Sequence, residues 1–452
     1  MANKLYPESE GVLTKSLLAN SITRHCCCAP RGATGPRGPQ GSEGATGATG
    51  DTGPQGPEGA RGPAGDSGIG LSQLSAFGEL LTVEPNAIVQ LQFPYNINTD
   101  YVITDTTGAG TVTQADSLLV VQTGTSNNSR ATLLSRSRLH YQPGQGATAL
   151  FTALYTTGVD GSTQITGIGN NQDGFFFGFN GSSFGILHRN NSVDTWIDQS
   201  SWNEDTFDGS GESGIVLDHT KGNIYKIQYQ WLGFGNIKFF IESPSTSEFI
   251  LVHEIEYANA NTVPTIANPS LQLMVEAVNT SNTSNIIIKN GSLAGYIEGT
   301  INNIDVRNNI SNSKTITTTE TNILTIRDNA TFQSKTNQTM VYPDAVSFLN
   351  STAGTAAALF AVYLNPTVGG APVFNDINSN TSVVSYDTAG TTVTGTGGRK
   401  LFSFFLANGA DFSFNLHDYA VQLVPGDRLV FACSTSTGSL TVYASVSWVE
   451  RF

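Results

Sequence analysis

The chain has 452 residues and a net charge of −14, and only 13% of its residues are charged. This length leaves room for two or three domains. The acidic balance argues against nucleic acid as a partner, because nucleic-acid binding needs a basic surface. The high content of Gly, Thr, Ser and Asn is typical of short strands and turns.

Residues 1–31 are predicted to be an N-terminal attachment segment. They lack the basic start and apolar core of a secretory signal, and no apolar run approaches the ~20 residues that span a bilayer. We therefore expect no signal peptide and no membrane insertion, so the protein would reach the outside by cell lysis, as a virion or a spore does. Nothing in the sequence indicates an organic cofactor.

Three adjacent cysteines, Cys26, Cys27 and Cys28, end this segment. Neighbouring cysteines pair poorly with each other, which favours disulfides between chains or anchoring to a capsid, spore-coat or appendage protein. Unpaired thiols are the alternative. A metal site is disfavoured, because adjacent residues rarely converge on one ion and His25 is the only other nearby ligand.

Glycine stands at every third position from residue 32 to residue 68. Only glycine fits where three polyproline-type chains crowd a common axis, so this spacing predicts a collagen triple helix and a homotrimer. The axial glycines are Gly32, Gly35, Gly38, Gly41, Gly44, Gly47, Gly50, Gly53, Gly56, Gly59, Gly62, Gly65 and Gly68. Proline never occupies the third position of a triplet, so the rod is expected to be marginal without help from its flanks.

After a neck at 69–83, residues 84–298 are predicted to form a β-sandwich. Apolar and polar residues alternate in segments such as Ala87–Phe93. The clearest pattern is a three-stranded antiparallel meander over Ile224–Trp231, Ile237–Glu242 and Phe249–Tyr257. His253, in the last of these segments, is interpreted as an ordinary strand residue.

A second β-sandwich is predicted at 316–452, after an Asn-rich linker at 299–315. The expected strands include Ile316–Ile326, Leu401–Leu406, Phe412–Leu416 and the alternating run Leu440–Val449. Cys433 is in phase with the apolar residues of its segment, so we expect a buried free thiol.

Three stretches of residues 84–298 resemble a module that recurs in viral and bacterial surface proteins: YQPGQGATALFTALYTTGV, GFFFGFNGSSFGILHR and NIYKIQYQWLGFGNIKFFIE. The aromatic meander is also similar to a jelly roll of concanavalin or laminin-G type, in which two sheets pack face to face. This resemblance implies a fold that often binds sugars. The order of attachment segment, collagen rod and β modules resembles collagen-like trimeric surface fibres, including the collagen-like glycoproteins of the bacterial exosporium.

No nucleotide-binding, zinc-protease or serine-hydrolase motif is present, and we expect no enzyme. The acidic segment 193–219 is a candidate binding site. Its candidate glycan contacts are Trp196, Trp202, Asp205 and Asp208, and its carboxylates are also candidates for calcium binding. The alternative is a solvated acidic loop whose tryptophans pack onto the edge of the sandwich.

We therefore predict a mainly β homotrimer, with a short collagen triple helix followed by two jelly-roll-like β-sandwich modules. The expected function is a structural fibre on the surface of a virion or similar particle, with a head that contacts host or environmental surfaces, including glycans. The alternatives are a collagen-like filament or tip protein of a spore surface and, less favoured, a polysaccharide depolymerase.

Overall fold

The computed structural model describes residues 35–44, 85–299, 306–351, 356–419 and 421–452. Residues 35–44 are exposed and have no regular secondary structure, and four of the predicted axial glycines lie there. The triple helix stays a prediction. The cysteine cluster, most of the rod and the neck lie outside the described residues.

The first β-sandwich contains sixteen strands in the described residues. They are β1 Pro85–Gln92, β2 Val102–Thr107, β3 Thr111–Ala115, β4 Leu118–Gln122, β5 Ser129–Ser135, β6 Ala147–Tyr155, β7 Ser162–Gly169, β8 Gly174–Asn180, β9 Ser183–Asn190, β10 Val193–Asp198, β11 Asn223–Tyr229, β12 Ile237–Glu242, β13 Phe249–Ile255, β14 Leu273–Asn279, β15 Ile287–Asn290 and β16 Ser292–Glu298. One sheet has the order β10-β9-β8-β7-β14-β5-β2. The other has the order β13-β12-β11-β6-β15-β4-β3, with β16 also paired to β6 and β1 paired to β16.

The two sheets enclose an aromatic core. Side chains on successive strand residues point to opposite faces, so every second residue of β8 and β11 enters this core. Phe177 of β8 lies 4.9 Å from Tyr225 of β11 and 5.5 Å from Phe239 of β12, measured between ring centroids. Large rings of both sheets therefore interdigitate, as expected of a face-to-face sandwich.

The second sandwich contains fourteen strands in the described residues. They are β17 Arg307–Ile316, β18 Thr321–Asp328, β19 Thr331–Phe332, β20 Lys335–Thr336, β21 Met340–Asn350, β22 Ala358–Leu364, β23 Thr367–Val368, β24 Asn375–Asp376, β25 Val384–Asp387, β26 Val393–Thr394, β27 Arg399–Leu406, β28 Asp411–Asn415, β29 Arg428–Thr435 and β30 Leu440–Arg451. Its main sheets have the orders β17-β30-β21-β28 and β24-β25-β18-β29-β22-β27, and β19-β20 and β23-β26 are separate two-stranded pairs.

The mainly β prediction is confirmed. Every strand pair in the described ranges is antiparallel, and these ranges contain short 3-10 turns at Gln199–Ser201 and Leu416–Tyr419 but no α-helix. The predicted meander is confirmed as β11, β12 and β13, which are neighbours in that order. In the described part of the chain, no helix is long and apolar enough to cross a bilayer.

The linker prediction for 299–315 is wrong over its second half, because residues from Arg307 onward form strand β17 along β30. Polar side chains stabilise this strand in place of apolar burial. Asn312 Nδ2 donates to the carbonyl oxygen of Ile323 at 2.7 Å, and Lys314 Nζ donates to that of Thr388 at 3.0 Å. The single strand predicted over Ile316–Ile326 is likewise wrong, since β17 ends at Ile316 and β18 begins at Thr321.

The two sandwiches contact each other through polar side chains. Arg136 of the first forms an ion pair with Asp427 of the second, with 3.1 Å between Nη1 and Oδ2. Gln422 Nε2 donates to Ser137 Oγ at 2.6 Å. A further ion pair joins Arg399 to Asp100. The described residues from 85 onward accordingly belong to one compact unit.

Cys433 and His253 are both buried, in agreement with the sequence interpretation. The thiol of Cys433 is free, and burial raises its pKa to about 12. His253 Nδ1 accepts a hydrogen bond from the backbone N–H of Asn203 at 3.2 Å, so it is a satisfied strand residue.

Candidate functional site

Trp202 of the acidic segment is buried, which corrects its assignment as a glycan contact. Only 5% of its surface is exposed, and its ring lies 6.0 Å from that of Phe177 and 6.3 Å from that of Phe184. An aromatic ring must present a free face to stack on a sugar. Trp202 instead contributes to the core between the sheets.

Trp196 of β10 lies on the outer face of the seven-stranded sheet, whereas Trp202 packs against the inner face. Trp196 is half-buried against the outer cluster formed by Phe176, Leu187 and Met274, and Trp202 belongs to the inner core. Residues of adjacent sequence positions in a strand point to opposite faces, so Phe176 and Phe177 belong to these different clusters. The two tryptophans, which are close in the sequence, therefore lie on opposite sides of the sheet.

The two predicted aspartates organise the loop itself. Asp205 is buried, and its oxygens accept hydrogen bonds from the backbone N–H groups of Phe207 at 2.9 Å and Ser213 at 2.8 Å. Asp208 is exposed, and hydrogen bonds from Ser210 and Thr206 lower its pKa to about 2. The assignment of Asp205 to glycan contact is thus also wrong, because its carboxylate is engaged within the loop.

The described residues contain no group of three or more His, Cys, Asp or Glu side chains that could hold a metal ion. A calcium site needs several oxygen ligands that converge on one point. In this loop, Asp205 and Asp208 accept hydrogen bonds from loop N–H and hydroxyl groups. Asp205 and Asp208 are thus used to fold the segment.

A pair of arginine-bound carboxylates lines a cavity of about 270 Å³ on the seven-stranded sheet. Glu276 Oε2 accepts from Arg130 Nε at 2.6 Å, and Asp194 accepts two hydrogen bonds from Arg189 at 2.7 and 3.0 Å. A glycoside hydrolase usually needs a carboxyl group that donates a proton to the leaving oxygen. Two carboxylates that each accept from an arginine favour a structural role for this pair.

An exposed aromatic surface lies on the second sandwich, along the edge strands β27 and β28. We call it the aromatic edge, and its members are Phe402, Phe404, Phe412, Phe414 and Tyr419, of which Phe402, Phe404 and Phe414 are half-buried against the core. Phe412 is 43% exposed and Tyr419 is 61% exposed. Ring centroids are 4.9 Å apart for Phe404 and Phe412, and 4.8 Å apart for Phe402 and Phe414. The rings therefore form a continuous apolar surface across both sheets.

The opposite edges of the same two sheets are polar. Strand β17 presents Asn, Ser, Thr and Lys side chains, and β24 consists of Asn375 and Asp376. Polar and charged residues are the usual protection of an exposed sheet edge against pairing with another chain. Of the two sides of this sandwich, the aromatic edge lacks this protection and exposes apolar surface instead.

The sequence predicts strands at Leu401–Leu406 and Phe412–Leu416 but not the exposure of the aromatic edge. Its signal is present in the motifs FSFFL and DFSF, in which phenylalanines occupy both faces of one strand and alternate in the next. Such a pattern is equally typical of a strand buried on both faces. Only the sheet order, which puts both strands at edges, distinguishes the two cases.

No protein-family model matches the chain, and no curated protein matches it. Among solved structures, it is similar to a glycosyl hydrolase family protein from Mycobacterium fortuitum, with 12% identity and a TM-score of 0.33 over 46% of this chain and 99% of that one. The carbohydrate recognition domain of Emp46p is similar at 10% identity and a TM-score of 0.30, over 45% of this chain and 90% of that one. Peanut lectin is similar at 11% identity and a TM-score of 0.31, over 46% and 97%.

Proposed function

We propose that the protein is a homotrimeric fibre on the surface of a virion or comparable particle. Its N-terminal segment attaches to the particle, its Gly-X-Y repeat forms a rod, and its two sandwiches form a head that contacts a host or environmental surface. The observation that carries the proposal is the aromatic edge, in a chain whose glycine spacing independently predicts three copies.

The aromatic edge is proposed to contact a second copy of this chain. Large exposed aromatic residues are enriched where proteins associate, and the edge strands that carry them would otherwise favour aggregation. A head that associates at this edge would also hold three chains together beside the rod. This fits a rod that has no proline at the third position of its triplets and needs stabilisation by its flanks.

The test is analytical ultracentrifugation of the full chain. The native protein is expected to sediment at three times its chain mass of 47.9 kDa. The double substitution Phe412→Lys and Tyr419→Lys places two charges in the proposed contact. We expect it to raise the concentration at which half of the trimer dissociates by about tenfold or more, the equivalent of about 1.4 kcal/mol.

Tyr443→Lys is the matched control, because Tyr443 is an exposed aromatic residue of β30 in the same sandwich but outside the aromatic edge. It should leave the dissociation unchanged. A native chain that sediments as a monomer would contradict the fibre proposal. Equal dissociation of the double variant and the control would contradict the role of the aromatic edge.

A further inference from the structure

Four side chains form a row across the six-stranded sheet, on the side away from the aromatic edge. Asp376 of β24 is opposite Ser385 of β25, Ser385 is opposite Arg327 of β18, and Arg327 is opposite Arg428 of β29. Residues directly opposite each other in neighbouring strands share one face of a sheet. Ile326 and Leu429, the neighbours of the two arginines, point into the core, so the row lies on the outer face.

The two arginines of this row face each other without a carboxylate between them. Neither forms an ion pair with a residue in the described ranges. Burial, and after it the charge of Arg428, lowers the pKa of Arg327, while Asp376 raises it. Like charges directly opposite each other destabilise a sheet. Acidic residues outnumber basic ones in this chain, which has a net charge of −14, and yet none is placed between these two arginines. The arrangement therefore indicates a role other than stabilising the sheet.

Arg327 is held in a fixed orientation. Its guanidinium carbon lies 3.8 Å from the ring centroid of Phe374, a cation–π contact. Its Nε donates to Asn329 Oδ1 at 3.1 Å and to Ser385 Oγ at 3.2 Å. The terminal nitrogens of the guanidinium make no hydrogen bond within the described part of the chain, so a fork of donors is presented next to Arg428.

The arginines open into a cleft with a volume of about 680 Å³. Its walls also include Asn329, Thr331 and Asp376. Gly426 lies at its border, where its φ of +100° suits glycine and a Cβ would meet no atom within 4 Å. The cleft thus has the size of a small-molecule site and combines two cations with neutral amide and hydroxyl groups.

We propose that this cleft binds an acidic saccharide, with the carboxylate or sulfate of one sugar bound between Arg327 and Arg428. A guanidinium fork matches such an oxyanion with two parallel hydrogen bonds. The amide of Asn329 and the hydroxyl of Thr331 can bond to sugar hydroxyl groups. The inference rests on the proposed function, since it assigns a ligand to the head, but it requires no particular oligomeric state.

The test is isothermal titration of the full chain with sialyllactose and oligogalacturonate as carboxylate probes, sulfated lactose as the sulfate probe, and lactose and inorganic sulfate as references. We expect binding of at least one acidic probe, weakened by added salt. Arg428→Gln should weaken it about 10- to 100-fold, since hydrogen bonds to charged groups are the strong ones. Asp376→Asn should strengthen it, because it removes the carboxylate beside the anion.

Arg307→Gln is the matched control, because Arg307 is an exposed arginine of the same sandwich on β17. It should bind like the native chain. The proposal is overturned if no acidic saccharide binds, if Arg428→Gln and Arg307→Gln bind equally, or if lactose or inorganic sulfate binds as tightly as the acidic sugars. Sedimentation of the same samples reports the oligomeric state, so failure of this inference and failure of the fibre proposal give different results.

Discussion

Buried titratable groups of the two sandwiches influence one another, and Asp328 is the clearest case. It is fully buried in the second sandwich, where Asn337 Nδ2 donates to its Oδ1 at 2.6 Å. Burial raises the pKa of Asp328 to about 9, and the charges of Glu450 and Asp427 act in the same direction. Arg138 of the first sandwich opposes this shift, and burial lowers its own pKa to about 10.

This pKa predicts how stability depends on pH. The unfolded chain loses the Asp328 proton near its ordinary pKa of 3.8, while the folded chain keeps it up to about pH 9. Between these values the folded state binds more protons, so the free energy of unfolding falls as pH rises from about 4 to about 9. Asp328→Asn keeps the neutral shape, and we expect it to be more stable than the native chain at pH 8 by about 1 kcal/mol or more.

Chemical denaturation at several pH values measures this difference. Asp411→Asn is the control, because Asp411 is an exposed aspartate of the same sandwich. A native chain and an Asp328→Asn variant with the same pH profile would show that Asp328 does not keep its proton on folding. A parallel change in Asp411→Asn would show a general effect of net charge.

At the same scale, the roles of Trp202 and Asp205 could not be predicted from the sequence. Both lie in a polar, glycine-containing stretch that is typical of an exposed loop. Their burial depends on Phe177 and Phe184, which come from strands earlier in the chain and form the surface that Trp202 covers. The composition of the stretch therefore does not predict that contact.

At the scale of elements, the alternation of apolar residues predicted the strands that are buried on one face. It missed β17, where asparagine and lysine side chains replace apolar ones and bond to neighbouring carbonyl groups. Glycine adds a second constraint in the first sandwich. Gly178 of β8 is opposite Gly185 of β9, so this pair has no side chains on either strand.

We predict that Gly178→Ala destabilises the first sandwich. A Cβ at this position would overlap the backbone carbonyl oxygen of Gln164 in β7, and backbone cannot move aside as a side-chain tip can. The expected loss is about 1–3 kcal/mol, as for other insertions into packed sites. Thermal melting followed by circular dichroism measures it.

Gly395→Ala is the control for this variant, because no atom lies within 4 Å of a Cβ built there. Its melting temperature should be the same as that of the native chain. Equal melting of Gly178→Ala and the native chain would mean that β7 and β8 can separate locally, and that the close approach of the strands is not required.

At the scale of the whole molecule, we expect the proposed trimer to depend on segments at both ends of the chain. Replacement of Cys26, Cys27 and Cys28 by serine is expected to abolish reducible oligomers on a denaturing gel and to leave the native trimer intact. The reason is that these cysteines would link chains which the rod and the head already hold together.

Cys433→Ser is the matched control, since Cys433 is buried and its thiol is not available for a link between chains. It should give the same reducible oligomers as the native chain. If those oligomers persisted in the triple serine variant, the stapling role of the cluster would be wrong. If the native trimer were lost as well, the disulfides rather than the rod and head would hold the chains.

The sequence by itself determined the β class, the main strands and the meander, because these depend on alternation within one segment and on short turns. Its strict glycine spacing predicts three chains for an equally local reason, the lack of room for any side chain at a shared axis. Tertiary structure decided which strands are edges, which tryptophan is buried and which arginines face each other. These features depend on strand order, and strand order brings together residues that lie far apart in the sequence, such as Arg327 and Arg428.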